Sequence, residues 1–142
     1  MDEKNGPPPE INLFNEKNNG ETLLKLIDHG LIQCAHDVSL GGIITAVSKM
    51  CIKANKGIQL NKPRYLISEI EYLFAEDQGR YIVEINPNEL KKVTDILNNN
   101  AVHFDELGTI NKDQLIINEK TKVTIDELRT SNTNWLTDYM SK

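Results

Sequence analysis

The 142-residue sequence predicts an α/β (α+β) fold, a layered arrangement in which helices cover a mixed β-sheet. Three observations carry that expectation. Ile43, Ile44, Ala46, Val47, Met50 and Cys51 recur at helical spacing. The run Arg80-Tyr81-Ile82-Val83-Glu84-Ile85 is rich in β-branched and aromatic residues, as strands are. Segments of the two kinds alternate along the chain, and alternation of this sort builds a sheet faced by helices. The length matches the commonest domain size of about 100–150 residues, enough to bury a core of its own.

Taken in order, residues 1–19 hold Pro7-Pro8-Pro9 and several Asn without periodicity, and read as an extended linker ahead of an α/β domain over 20–142. From Glu21, the apolar residues Leu23, Leu24, Leu26 and Ile27 share a helical face, and Gly30 stands where a left-handed C-terminal cap belongs. Leu31–Ala35 reads as a short buried strand. The helix over Ile43–Cys51 is ended by Asn55 and Gly57. Gly57–Leu60 alternates as a strand does, Pro63 stops it, and Ile67–Phe74 suggests a short amphipathic helix. A strand over Arg80–Ile85 follows. Asn86 or Asn88 then caps a helix that begins near Pro87 and carries Leu90, Val93, Ile96 and Leu97 on one face. Strands are expected near 102–110, 114–117 and 122–124, then a helix from Ile125 to about Thr130 and a terminal WLTDYM that is itself a candidate helix.

Lys and Arg total 16 against 21 Asp and Glu, a formal charge of -5. There is no basic block to neutralise phosphates along a nucleic acid, so that class of partner is not expected. No apolar stretch approaches the ~18 residues that span a bilayer, and the start is acidic and Pro-rich where a secretory signal is basic and then apolar. These features point to a cytoplasmic protein with no membrane partner. Cys34 and Cys51 belong to no CxxC motif and read as buried free thiols.

Two polar clusters are candidate sites. In AHDVSLGGII, residues 35–44, His36, Asp37 and Ser39 lie between a strand and a helix, where ligands collect in α/β folds, and Gly41-Gly42 would let backbone amides approach an anion at the positive end of the helix. The other reading is a capped turn: Ser39 or Asp37 caps the helix, a contribution of about 1 kcal/mol, and the glycines allow close packing. The spacing is neither GxxxxGK[ST] nor GxGxxG and the loop has no lysine, which favours the turn. In FAEDQGRYIVEI, Glu76, Asp77 and Gln78 precede Gly79 and Arg80. They offer oxygen ligands suited to Mg²⁺ or a polar substrate, or else form a solvated turn. The residues that would meet a substrate or nucleotide are thus His36, Asp37, Ser39, Gly41, Gly42, Glu76, Asp77, Gln78 and Arg80. No catalytic residue and no metal ligand is assigned. His29 and His103 have no metal partners at ligand spacing and read as surface or half-buried, and the terminal Trp135 and Tyr139 suit docking more than ligand stacking.

Five strings occur in an order that resembles the C-terminal end of the phosphoribosylformylglycinamidine synthase family, large-subunit type. They are Gly6-Pro7-Pro8 with Leu13 and Glu16 ahead of Gly20, then AHDVSLGG, LFAEDQGRYIV, ELGTI and NWLTDYM. The resemblance implies the C-terminal α/β domain shared with aminoimidazole ribonucleotide synthase. It further implies a ligase of purine biosynthesis that converts formylglycinamide ribonucleotide to its amidine with ATP, Mg²⁺ and glutamine-derived ammonia. The implied partners are the remaining synthase domains, a glutamine amidotransferase subunit and a small accessory subunit. Because the match covers only the last domain, ATP and Mg²⁺ are expected to belong to the full enzyme. The chain alone is expected to be structural, inactive, and without a firmly bound cofactor. A free-standing nucleotide-binding or regulatory module is the alternative. Leu40 stands where the family usually has Asp, and Ala75 where it usually has Gly. Both departures favour packing over ligand binding in the two loops.

Overall fold

The computed structural model describes residues 10–61 and 68–141. Gly6, Pro7-Pro8-Pro9, Pro63 and Ile67 lie outside the described residues. The chain divides into two compact units, Met1–Ser39 with Asp77–His103 and Leu40–Glu76 with Phe104–Lys142, where the sequence reading places one domain over 20–142.

The first unit pairs two helices with a two-stranded antiparallel ribbon. Helix α1 spans Leu13–Asp28, so the segment expected to be extended through residue 19 is helical from Leu13. Its first turn is held by polar bonds, which apolar periodicity does not register. The Asn12 side chain accepts from Asn15 N at 3.0 Å, and Asn18 Nδ2 donates to the Asn100 carbonyl at 2.7 Å. At the other end Gly30, φ +64°, closes the helix as predicted. Its N–H reaches the Ile27 carbonyl, while Leu31 N reaches that of Leu26, so the last orphan carbonyls are satisfied.

Strand β1 covers Ile32–Asp37 and therefore takes in His36 and Asp37, which sequence reasoning left in the loop. Its partner, labelled β3 by chain order, is Tyr81–Ile85, in register from Ile32↔Ile85 to Asp37↔Tyr81 with a bulge between Ile32 and Cys34. A 3₁₀ turn at Pro87–Glu89, capped by Asn86, leads into helix α4, Leu90–Asn99. Leu26, Leu31 and Val93 form the buried centre, with Ile32, Ile85, Ile96 and Leu97 packed on it.

The second unit holds the mixed sheet. Helix α2 is Gly42–Ala54, β2 is Gly57–Leu60 and α3 is Glu69–Phe74. Strands β4, β5 and β6 are Gly108–Asn111, Gln114–Ile117 and Thr121–Thr124, and α5 is Ile125–Met140. The sheet order is β4-β2-β5-β6, with β2 parallel to β5 and the other pairs antiparallel. The expected single mixed sheet is thus a mixed sheet in one unit and a separate ribbon in the other. Ile43, Ala46, Val47 and Cys51 of α2 are buried, as are Leu60, Leu73, Leu115 and Ile125. Helix α5 runs well past the expected end near Thr130. Its start is a capping box in which the Thr124 side chain accepts from Glu127 N and the Glu127 side chain returns to Thr124 N.

Candidate functional site

The two candidate loops are each cut by the boundary between the units, at 39/40 and at 76/77, so their halves have separate geometries.

In the second unit, the chain enters α2 through Gly41, φ +83°, and Gly42, φ +68°. Gly41 is the N-cap and has no side chain to cap with. Instead its N–H donates to Glu76 Oε1 at 2.7 Å. The expectation that Ser39 or Asp37 caps this helix is therefore corrected: the acceptor comes from the far loop. A carboxylate at the positive end of a helix is favoured by the dipole and satisfies an otherwise orphan amide. The seat that would attract a phosphate thus already holds the chain's own anion. Gly42 is buried against the last turn of α3. A Cβ there would stand 2.6 Å from the Leu73 carbonyl oxygen and 2.8 Å from Phe74 Cα, which explains why a glycine occupies the site. Leu40, by contrast, is 80% exposed, so its apolar surface is not used for packing within the chain.

In the first unit, the β1–β3 register sets Asp37 opposite Tyr81, and Val38 N donates to the Arg80 carbonyl at 2.9 Å. That pairing brings His36 and Asp37 to the same end of the ribbon as Asp77, Gln78 and Arg80. His36 is half-buried, with Nδ1 2.6 Å from the Asp37 carbonyl oxygen and 3.4 Å from Asp37 Oδ1. Because a carbonyl only accepts, Nδ1 carries a proton and donates. Arg80 folds back on its own turn: Nε donates to the Asp77 carbonyl at 3.2 Å and Nη2 lies 3.6 Å from Asp77 Oδ2. Ser39, Asp77 and Gln78 are exposed.

Helix α1 braces this turn, and sequence reasoning missed the brace. Asn19 Nδ2 donates to the Gly79 carbonyl at 3.0 Å, and a Cβ on Gly79 would lie 3.0 Å from Glu16 Cγ. Asn19 sits in a polar stretch with no period, so nothing in its neighbourhood marks it as an anchor. Glu16, in contrast, belongs to one of the ordered strings.

The chemistry of these groups is mostly mutual satisfaction. Among the described residues no three His, Cys, Asp or Glu side chains converge on one point. At the α2 start Glu76 occupies the Gly41 amide, and the loop has no lysine to meet a phosphate. His29 Nδ1 lies 2.6 Å from the Lys25 carbonyl oxygen, at a helix end, and His103 is exposed. Cys51 is buried and burial pushes its thiol up, whereas Cys34 is half-buried; neither forms a disulfide. Among the described residues no helix is long and apolar enough to cross a membrane.

A family model described as AIR synthase related protein, C-terminal domain, matches residues 1–118. The chain is 68% identical over 99% of its length to phosphoribosylformylglycinamidine synthase subunit PurL of Pelagibacter ubique, covering 19% of that relative. It is 36% identical over 95% of its length to the same-named subunit of Bartonella bacilliformis, covering 18% of that relative. It therefore spans less than a fifth of the length of these relatives. Among solved structures it resembles Thermotoga maritima PurL complexed with FGAR, with a TM-score of 0.73 at 22% identity over 83% of this chain and 21% of that one. It likewise resembles the PurLQS structure from the same organism, with a TM-score of 0.74 at 22% identity over 84% of this chain and 22% of that one. At such identity the likeness shows the fold. The chain belongs to the family of the AIR synthase related protein, C-terminal domain.

Proposed function

We propose that the chain serves as the C-terminal domain of a phosphoribosylformylglycinamidine synthase. That enzyme is a cytoplasmic ligase of purine biosynthesis, which uses ATP, Mg²⁺ and glutamine-derived ammonia to convert formylglycinamide ribonucleotide to its amidine. One observation carries the reading: 68% identity to the Pelagibacter ubique subunit along 99% of this chain. The partners in this reading are the remaining synthase domains, a glutamine amidotransferase subunit and a small accessory subunit.

Within it, His36, Asp37, Ser39, Gly41, Gly42, Glu76, Asp77, Gln78 and Arg80 act as architecture. The internal bonds of Gly41 to Glu76, His36 to Asp37 and Arg80 to Asp77 support that role. The alternative of a nucleotide-binding module has to displace Glu76 from the amide it would use.

The test is a segment exchange. The chain replaces its matching segment in the Pelagibacter ubique relative, and turnover of formylglycinamide ribonucleotide with ATP and ammonium is measured. The exchanged enzyme is expected to turn over comparably to the parent, while the isolated chain gives none. A folded exchange product without activity, or turnover by the isolated chain, would sink the reading. Saturable ATP binding by the isolated chain, tightened by Glu76→Gln, would instead establish the module.

A further inference from the structure

Helix α5 begins buried and ends bare. Ile125 is 3% exposed, and Arg129 Nη2 donates to Oδ1 of Asn55, the residue that caps the end of α2, at 2.6 Å, but every residue from 130 to 141 is exposed. A bare helical segment of about 12 residues is marginal in water, because the helix nucleus is costly and such a segment has no packed face to offset it.

Its surface is not that of a solvated helix. Trp135, Leu136, Tyr139 and Met140 are 63%, 52%, 70% and 75% exposed and lie at helical spacing on one side. Asp138 is the one charge between residues 130 and 141. Aromatic and Met enrichment with few charges marks the core of an interface. The stripe is also continuous with a second feature: an open groove between α2 and α5 lined by Ile44, Ile52 and Leu128 with the polar Ser48, Lys49 and Asn132 among its other residues. Leu128, Asn132, Trp135 and Tyr139 follow i, i+4, i+7, i+11, so groove and stripe share one face of α5.

We propose that this face docks on the remainder of the synthase polypeptide, against a charge-poor apolar patch with a basic group at its rim to meet Asp138. The proposal rests on the synthase reading. There the occupant is argued from length: the chain spans 19% of the Pelagibacter ubique relative, so most of the polypeptide able to cover the stripe lies outside these residues.

Hydrogen exchange by mass spectrometry tests it, on the isolated chain and on the exchange product described above. In the isolated chain, amides 130–140 exchange without protection at every protein concentration. In the exchange product they become protected by about tenfold or more. Trp135→Ser combined with Tyr139→Ser abolishes that gain while the β5 amides stay protected, and Trp135→Phe keeps it. No gain in an exchange product that still turns over would overturn the docking and leave the synthase reading intact. Protection that appears in the isolated chain as concentration rises, with a doubled mass in sedimentation, would overturn it in favour of a second copy. Protection in an exchange product that has lost turnover supports the docking and counts against the synthase reading.

Discussion

Helices α2 and α5 lie in the same unit, yet their first turns are closed by different means. Helix α5 is capped from within four residues: Thr124 and Glu127 exchange bonds in a box that the string TIDE spells out. Helix α3 starts the same way through Ser68 and Glu71. Helix α2 begins on two glycines and takes its acceptor from Glu76, 35 residues away. The local cap costs the helix no dependence on the rest of the fold. The remote cap makes the start of α2 a tertiary contact, which pins the polar loop to the helix but forms only once both are in place.

Substitutions at the helix ends put numbers on these contacts. The largest effect is expected from Gly42→Val, which forces a side chain into the α3 backbone at a positive φ. Urea unfolding should show a loss of about 4 kcal/mol or no folded protein at all. A loss under about 1 kcal/mol would mean that α3 moves aside freely and that the close approach is not a constraint.

Glu76→Ala should cost about 1–2 kcal/mol, since it strips a charge-assisted acceptor from the Gly41 amide, and Glu76→Gln should recover part of that. Equal stabilities for all three proteins would show that the remote cap contributes nothing and that water serves as well.

Thr124→Ala removes the local cap and should cost about 1 kcal/mol. It also carries a pH signature. Bonds from the Thr124 hydroxyl and amide hold the Glu127 carboxyl below its ordinary value of 4.5. A depressed folded value means that this contribution is complete above that ordinary value and is lost as pH falls through the folded one. Carboxyl chemical shifts followed through acid titration should place the Glu127 midpoint below that of a free glutamate, and Thr124→Ala should raise it. An unmoved midpoint would detach the shift from the cap.

The smallest effect concerns a helix end. Ala101, φ +52°, occupies the left-handed position after α4, where the Val102 and Ala101 amides reach back to the Leu97 and Asn98 carbonyls. Ala101→Gly should raise the thermal midpoint, with a gain of about 1 kcal/mol or less. A lower midpoint would mean that the alanine methyl packs usefully there.

Much of the fold was legible because its signals are local. The stripe Ile43–Cys51 announced α2, Gly30 announced the end of α1, and the β-branched run before Ile85 announced β3. The misses at the start of α1 and at the α2 cap share one cause. The first turns of α1 hold through Asn12, Asn18 and Asn19, polar residues whose partners Asn100 and Gly79 are distant in sequence. Pattern reading found both polar clusters of the candidate site but misassigned the cap, because a backbone amide facing two nearby side-chain oxygens gives no sign that a third, from another loop, will win.

The element types and the local caps were legible from spacing over a few residues, and the family resemblance from five short strings in order along the chain. Only the tertiary structure decided that β1 and β3 form a ribbon apart from the mixed sheet, that Glu76 closes α2, and that the stripe Trp135–Met140 stays bare. Those outcomes turn on which distant groups meet and how completely they satisfy one another, and a one-dimensional pattern carries no distances.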